Sequence, residues 1–325
     1  MTDKQIERLT AQYGTPLYVF DTRILRERII YLRRQLPAGI RLCYAVKANP
    51  FLLQEIRGLV ERFEICSPGE ASICRRAHIP AAQQVISGVY KTPAVMEQLL
   101  AQKNGPRLFT IESMRQFHLL SALAARYEKP IHVLLRLTSG NQFGMDEEDI
   151  LASIRNRDSC PHLDLAGLQY YSGTQKKGME KIEKELVKLD SFMDFVREHL
   201  DFEFRELEYG PGFQIPYFEG QEQADEEILL QEFKKALDSL HFKGIIFLEA
   251  GRFLAAPCGS YLTRVADVKR SQGQNYCIVD GGINHVNYYG QTMAMKVPAY
   301  RYKIGRAHVR TPVTYADLVC RLLLE

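Results

Sequence analysis

The 325-residue chain exceeds the usual size of a single core, which predicts one large barrel-like domain with a smaller one, or two comparable domains. Its 42 Lys and Arg residues against 39 Asp and Glu residues give a formal net charge of +3, which argues against a nucleic-acid or anionic-membrane partner and favours a small substrate. Seven scattered cysteines without a C-x-x-C pair indicate a reducing cytoplasm, and the sequence shows neither a metal motif nor an apolar run of about 18 residues.

Strand and helix patterns alternate along most of the chain. A polar, helical N-terminus precedes an extra strand at 15–21, "TPLYVFD", and a helical stretch, "TRILRERIIYLRRQL". Eight β-rich runs then alternate with segments of 3.6-residue apolar spacing: "IRLCYAV", "RFEIC", "QVISG", "RLFTI", "IHVLLRL", "LDLAGLQYY", "RELEYG" and "GIIFLEA". Eight right-handed βαβ repeats predict an α/β fold, a (β/α)8 TIM barrel, with an open doubly wound sheet as the alternative.

The two chain ends differ from this pattern. After the barrel, "SYLTRVADVKRSQGQNYCIVDGG" changes to β-strands, with "SQGQN" as a turn. We therefore expect a barrel over residues 30–256 and a β-rich domain, incomplete here, formed by residues 1–29 and 257–303. From Ile304 onward the sequence resembles the translation of a common sequencing adapter, so residues 304–325 are interpreted as a non-native tail on a truncated chain. The alternative is a genuine divergent strand plus a short helix.

The candidate site residues follow the predicted strands, because barrel enzymes place their chemistry at the carboxyl ends of the strands. Lys47 ends the first strand in "YAVKANP", and Glu249 ends the eighth in "FLEAGRF". The others are Ser67, Glu70, Tyr171, Gly173, Thr174, Gly210, Gly212, Gly251 and Arg252. Glycines after a strand let backbone N–H groups approach an anion. An amine, an anion cradle and a carboxylate around one cavity are what pyridoxal phosphate needs.

A set of ordered motifs strengthens this interpretation. "YAVKANP", "FEICSPGE", "SGTQ", "GPGF" and "EAGRF" resemble the fold-type III pyridoxal-phosphate decarboxylases, which include the diaminopimelate, ornithine and arginine decarboxylases. The resemblance covers roughly residues 10–298, and the pattern is closest to the diaminopimelate branch. It implies Lys47 as the Schiff-base lysine and Glu249 as the partner of the pyridine nitrogen. It also implies phosphate contacts from Gly210, Gly212 and Arg252.

The sequence departs from the family pattern at three of these motifs, one of which is the usual E-P-G-R, here Glu249-Ala250-Gly251-Arg252. The usual glycine triplet reads Gly210-Pro211-Gly212, and the usual H-x-G-S reads Tyr171-Ser172-Gly173-Thr174. A tyrosine can stack on a cofactor ring as a histidine does. Together with "VDGGINHVNYYGQ", this change resembles decarboxylases of peptide, aminoglycoside or siderophore biosynthesis. The expected substrate is therefore a small amino acid that is either free or tethered to a carrier protein.

The resemblance implies α-decarboxylation of an amino acid, with Lys47 carrying the cofactor and Glu249 keeping the pyridine nitrogen protonated. It also implies a homodimer when the chain is full length, in which the partner completes the active site. Two alternatives stay open. One is an alanine-racemase-like enzyme, which also has a V-K-A-N lysine, although "SGTQ" and "EAGR" argue against it. The other is an inactive fragment that binds pyridoxal phosphate.

Overall fold

A computed structural model describes residues 1–218, 220–282, 285, 300–301 and 317–320. Its strands are β1 (Leu17–Phe20), β2 (Arg41–Ala45), β3 (Arg62–Ile65), β4 (Gln84–Ile86), β5 (Leu108–Ile111), β6 (Ile131–Arg136), β7 (Leu163–Tyr171), β8 (Glu206–Gly210), β9 (Ile245–Ala250), β10 (Gly259–Ser271), β11 (Gln274–Val279), β12 (Tyr300–Arg301) and β13 (Asp317–Cys320). Its helices are α1 (Asp3–Tyr13), α2 (Thr22–Gln35), α3 (Leu53–Ile56), α4 (Pro68–Arg76), α5 (Pro93–Ala101), α6 (Met114–Arg126), α7 (Glu147–Arg155), α8 (Met179–Leu200), α9 (Glu226–Asp238) and α10 (Arg252–Ala255). None of these helices combines the length and the apolarity needed to cross a membrane.

Strands β2 to β9 form a closed barrel of parallel strands in chain order, and β9 pairs with β2 to complete it. All eight predicted strands are present, because apolar runs rich in β-branched and aromatic residues fit the buried, pleated wall of a barrel. One buried cluster of the barrel contains Cys43, Val85, Leu108, Leu134 and Ala166. The predicted (β/α)8 barrel is confirmed, and the open sheet is wrong.

Capped helices fix the loops at the carboxyl end of the barrel. Ser67, Thr92 and Ser113 are the N-caps of α4, α5 and α6, and each side chain accepts the backbone N–H three residues later. A proline occupies the first turn of α4 and of α5, where its missing N–H costs no hydrogen bond. The strand ends therefore pass into helices through short, well-defined connections.

The chain divides into two compact units, one formed by Met1–Leu25, Ile215–Glu222 and Leu254–Glu325, the other by Arg26–Gln214 and Gln223–Phe253. The barrel strands lie in the second unit. The predicted domain boundaries at 29/30 and 256/257 stay a prediction.

The first unit contains an antiparallel sheet. β10 pairs with β1 and turns back into β11, and it also pairs with β13, which pairs with β12. Gln272 and Gly273 form the hairpin turn with φ angles of 51° and 83°, so the predicted turn "SQGQN" is confirmed. Of the predicted non-native tail, residues 304–316 and 321–325 lie outside the described residues, and 317–320 form β13.

The barrel interior contains a buried polar layer. Arg62 Nη1 lies 2.7 Å from Glu206 Oε2 and 3.9 Å from Glu208 Oε2, and the guanidinium stacks over the Phe247 ring at 3.4 Å. Gln169 Nε2 donates to Glu208 Oε1 at 2.7 Å. Burial raises the pKa of Glu208 to about 7, although the Arg62 charge opposes this shift. The folded protein therefore keeps a proton on Glu208 at pH values where an exposed glutamate has lost it.

Because the pKa of Glu208 is raised in the folded state, the free energy of unfolding should depend on pH. Between pH 5 and 8 the folded state binds the Glu208 proton more tightly than the unfolded state, so this residue makes the free energy of unfolding fall as the pH rises. Glu208→Gln has no such proton to lose. We measure the free energy of unfolding of both proteins with urea and subtract the wild-type value from the variant value. This difference should be about 2–3 kcal/mol larger at pH 8 than at pH 5. Glu97→Gln, an exposed partner of Arg126, is the control. Equal pH slopes for wild type and Glu208→Gln would contradict the prediction.

Candidate active site

Lys47 lies at the carboxyl end of the barrel on a turn that its neighbours hold in place. β2 runs directly into the 3₁₀ turn Val46–Ala48, and Asn49 ends this turn. Asn49 Oδ1 accepts the Phe51 backbone N–H at 3.0 Å, and the Asn49 carbonyl oxygen accepts the Tyr44 hydroxyl at 3.0 Å. The Lys47 side chain is 45% exposed, so its amine is accessible to a small molecule.

Two buried glutamates face the Lys47 ammonium. Its Nζ lies 3.3 Å from Glu64 Oε2 and 4.0 Å from Glu249 Oε1. Both glutamates belong to strands that flank β2, since β3 pairs Glu64 with Ala45 and β9 pairs Glu249 with Cys43. Glu249 was among the predicted residues, whereas Glu64 was missed. Its signal is a carboxylate between the apolar residues Phe63 and Ile65 of a buried strand, where the cost of burying a charge requires a partner.

The three groups hold their protons unequally. The Glu64 carboxylate raises the pKa of Lys47 well above its usual range against the effect of burial, and Glu249 adds to this. Burial opposes ionisation of Glu64, but the Lys47 charge and a hydrogen bond with Glu249 keep the pKa of Glu64 below its usual value. Burial and the Glu64 charge raise the pKa of Glu249 far above its usual value. The three groups are therefore coupled: the Lys47 charge favours ionised Glu64, and ionised Glu64 favours a proton on Glu249.

Tyr171 forms one wall beside the lysine. Its ring centroid lies 5.3 Å from Lys47 Nζ, at the end of β7. Gly210, at the end of β8, makes room for the ring, because a Cβ at this position would lie 2.6 Å from Tyr171 Cδ2. An aromatic face beside the amine suits a flat heterocycle. The predicted stacking of Tyr171 on the cofactor stays a prediction.

The loops after β7 and β8 touch each other through their backbones. Gly212 has a φ of +65°, and a Cβ there would lie 2.0 Å from the Gly173 carbonyl oxygen. The Lys176 backbone N–H donates to the Gly212 carbonyl oxygen at 3.0 Å. Thr174 follows on the same loop and is exposed. The structure therefore brings together the residues predicted to form an anion cradle, and only glycine fits at position 212.

Gly251 and Arg252 continue from β9. A Cβ at Gly251 would lie 2.8 Å from the Ala48 Cβ, so the glycine lets the end of β9 pack closely on the turn that carries Lys47. Arg252 begins the short helix α10 and is half-buried. Both residues are therefore near the lysine in the fold, and their predicted contacts with phosphate stay predictions.

Ser67 and Glu70 stabilise the start of α4. Ser67 Oγ accepts the Glu70 backbone N–H at 3.2 Å, and Glu70 Oε2 accepts the Cys66 backbone N–H at 2.9 Å. Both side chains satisfy donors at the start of a helix, which the spacing S-x-x-E also indicates. The expectation that they face the cofactor stays a prediction. In the structure, both side chains accept backbone N–H groups at the start of α4.

Three buried charges at other strand ends were missed. Lys91 follows β4, and its Nζ donates to the Gly88 carbonyl oxygen at 2.6 Å; burial lowers the pKa of Lys91 to about 8. Arg136 ends β6, and its Nη1 lies 3.7 Å from Oε1 of Glu112, which follows β5. The rule that located Lys47, a charge directly after a strand, also applies to Glu112 and Arg136.

These residues fit pyridoxal phosphate by their chemistry. Lys47 supplies an accessible amine, and Glu249 supplies a buried acidic group of the kind that keeps a pyridine nitrogen protonated. The backbones of the loops that contain Gly173 and Gly212 are in contact, and a side chain at position 212 would collide with the Gly173 carbonyl oxygen. Such glycine loops bind phosphate through backbone N–H groups.

Comparisons with known proteins identify the family. The family model for the pyridoxal-binding domain of pyridoxal-dependent decarboxylases matches residues 22–256. A diaminopimelate decarboxylase of Neisseria meningitidis serogroup A is 30% identical over 301 residues, covering 85% of this chain and 71% of the relative. A Niallia circulans protein, named as a decarboxylase of L-glutamyl-BtrI acyl-carrier protein, is 25% identical over 343 residues, covering 97% of this chain and 79% of that protein.

Solved structures share the fold. A lysine/ornithine decarboxylase from Vibrio vulnificus complexed with cadaverine matches with a TM-score of 0.82 at 20% identity, covering 98% of this chain and 90% of that chain. A diaminopimelate decarboxylase from M. jannaschii with L-lysine matches with a TM-score of 0.80 at 21% identity, covering 98% and 84% of the two chains. Because the family match spans more than half of the sequence and includes both Lys47 and Glu249, the chain belongs to the pyridoxal-dependent decarboxylases, carboxy-lyases that use pyridoxal phosphate.

Proposed function

We propose that Lys47, Glu64 and Glu249 form the centre at which this chain removes the α-carboxyl group of an amino acid. The observation that carries the proposal is the position of the Lys47 ammonium, 3.3 Å from Glu64 and 4.0 Å from Glu249. An accessible amine between two buried carboxyl groups supplies both the nucleophile that carries the cofactor and an acidic group that can pair with the nitrogen of its ring.

Each residue then has a defined role. Pyridoxal phosphate, when bound, supplies a ring that accepts the electron pair released as carbon dioxide leaves. Lys47 supplies the amine, and Glu64 orients that amine through their 3.3 Å contact. Glu249, whose pKa burial and the Glu64 charge raise, is the acidic group that shares a proton with the pyridine nitrogen. Tyr171 offers a flat face to the ring. The residues proposed to hold the phosphate are Gly173, Thr174, Gly210, Gly212, Gly251 and Arg252.

The substrate is an amino acid that carries a second polar group at its far end, either free or attached to a carrier protein. The names of the relatives support this proposal, since they include diaminopimelate decarboxylases, a decarboxylase of a carrier-bound L-glutamyl group and a Staphylococcus aureus decarboxylase of an L-alanine-derived hydroxybutanedioate. Two of these substrates carry the amino acid as part of a larger conjugate, which agrees with a role in secondary metabolism.

A screen for carbon dioxide release tests the proposed function. The purified chain with pyridoxal phosphate is incubated with meso-diaminopimelate, ornithine, arginine, lysine and carrier-bound glutamate, and the amine product is identified by mass spectrometry. We expect carbon dioxide and amine in equal amounts from one of these classes. Racemisation of L-alanine without carbon dioxide release would favour the racemase-like alternative. Bound cofactor with no turnover of any substrate would favour an inactive fragment.

The assembly proposed for the full-length protein is a homodimer in a reducing cytoplasm. Large apolar side chains at the carboxyl end of the barrel support it, since Phe51 and Tyr90 are 74% and 71% exposed on the loops after β2 and β4. Exposed aromatic residues beside a site are typical of an interface. Light scattering of the full-length holo-protein tests this proposal: a mass of two chains supports it, and a mass of one chain at micromolar concentration contradicts it.

A further inference from the structure

A buried polar cluster lies behind the loops proposed to hold the phosphate. We call Ser172, Lys176, Glu185 and Tyr209 the Glu185 cluster. The side chains of Glu185, on α8, and of Lys176 are only 6% and 4% exposed. Lys176 Nζ donates to Glu185 Oε2 at 2.6 Å, and the Tyr209 hydroxyl donates to the same oxygen at 2.7 Å. The Ser172 hydroxyl donates to the other oxygen, Oε1. Three donors therefore meet at one buried carboxylate.

Burying the charged groups of the Glu185 cluster costs free energy, so the place where the cluster is buried indicates what it does. Burial lowers the pKa of Lys176 while the Glu185 carboxylate opposes this, and burial together with Glu185 raises the pKa of Tyr209. Apolar side chains of similar volume usually give as much stability as a buried ion pair. Charged hydrogen bonds are directional, whereas apolar contacts are not. A carboxylate that accepts from three donors therefore fixes the positions of the chain segments that carry those donors.

Those segments are the two loops of the proposed phosphate site. Ser172 lies between Tyr171 and Gly173, directly before the Gly173–Thr174 loop. Tyr209 directly precedes Gly210 on β8. The third donor, Lys176, joins the two loops, because its backbone N–H donates to the Gly212 carbonyl oxygen at 3.0 Å. Glu185 is thus hydrogen-bonded to the loop after β7 and to the end of β8, from which the Gly210–Gly212 loop continues.

We propose that Glu185 is a positioning residue that sets the spacing between the Gly173–Thr174 and Gly210–Gly212 loops and thereby the affinity of the site for the phosphate group of the cofactor. The inference rests on the proposed function in one respect only, the placement of the phosphate at these loops. Glu185 acts through the backbone of other residues and is not a catalytic residue.

The test compares two ligands that differ only in the phosphate. The affinities of the full chain for pyridoxal 5′-phosphate and for pyridoxal are measured by absorbance titration, and their ratio reports the phosphate contribution. Glu185→Gln keeps the shape of the side chain but removes the charge that fixes Lys176. We expect it to lower the ratio at least about tenfold while changing the pyridoxal affinity less than about twofold. Ser172→Ala, which leaves the ion pair intact, is expected to lower the ratio by a smaller factor.

Asp190 provides a matched control on the same helix. It is also buried, but its carboxylate accepts the backbone N–H groups of His241 and Phe242, at 2.9 Å and 3.0 Å. Asp190→Asn therefore removes a buried charge from α8 without touching the phosphate loops. We expect it to lower the thermal midpoint and to leave the ratio unchanged. If Glu185→Gln weakens both ligands equally, as a general loss of structure would, the inference is overturned.

Gly212→Ala separates this inference from the proposed function. Because a Cβ there would collide with the Gly173 carbonyl, the substitution must disturb a phosphate held at these loops. An unchanged ratio in Gly212→Ala would show that the phosphate binds elsewhere, so the proposed site and this inference would both be wrong. A ratio that falls in Gly212→Ala but not in Glu185→Gln or Ser172→Ala would overturn only the role of Glu185.

Discussion

Replacing Lys47 by alanine abolishes the covalent attachment of pyridoxal phosphate and lowers kcat by roughly a thousandfold or more, because no other amine lies between Glu64 and Glu249 in the described part of the chain. Borohydride reduction of the wild-type holo-protein followed by peptide mass spectrometry is expected to place the pyridoxyl mass on the peptide that contains Lys47. The variant is expected to show neither this mass nor the visible absorbance of the bound cofactor.

Lys91 is the competitor that this experiment must exclude. Its pKa of about 8 gives it more neutral amine near pH 7 than an ordinary lysine has, and it lies on the loop between β4 and α5. Yet it is buried, and its Nζ donates to Gly88 and Thr110. Lys91→Met should therefore keep the label and most of the turnover. A pyridoxyl mass found on the Lys91 peptide would overturn the assignment of Lys47.

Glu249→Gln is expected to leave the cofactor bound while lowering kcat by about 10²–10³-fold, equivalent to about 3–4 kcal/mol of activation free energy. Glutamine fills the same space, but it cannot hold the proton that burial and Glu64 keep on Glu249. The loss should therefore fall on kcat, and the affinity for pyridoxal phosphate should change by only a few-fold. Single-turnover measurements of carbon dioxide release check this expectation.

Glu249→Asp is the graded control. It keeps an acid of similar strength on a shorter side chain, so its kcat should lie between those of wild type and Glu249→Gln. If Glu249→Gln retains the wild-type kcat, Glu249 is a structural acid at a strand end.

The sequence was sufficient to predict the barrel and the places where its chemistry would lie. Strand runs such as "IHVLLRL" are short, apolar and separated by helical patterns, so their local signal agrees with the fold. Lys47 and Glu249 were found because each directly follows or ends such a run. Ser67 and Glu70 were found in the same way, but their side chains accept backbone N–H groups at the start of α4.

The contacts between strands and helices could not be read from the sequence. Glu64 and Glu208 sit inside strands, and only the register of the closed barrel determines which neighbours they meet. Glu185 lies in a helix of many charged residues, where a surface position is the default expectation. Its burial follows from the packing of α8 over β7 and β8, which brings Ser172 and Tyr209 to the same carboxylate. Such partners are distant in sequence and carry no local pattern.

The pairing of β9 with β2 has a consequence for refolding. Lys47 and Glu249 lie on the first and the last strand of the barrel, so almost the whole barrel sequence must be folded before they can meet. Contacts between such distant segments form late, because the chain between them must first lose its freedom. Helices form on their own within microseconds. During refolding, recovery of the far-ultraviolet helix signal should therefore precede recovery of cofactor capture, and the delay between them measures how long the last strand takes to find the first.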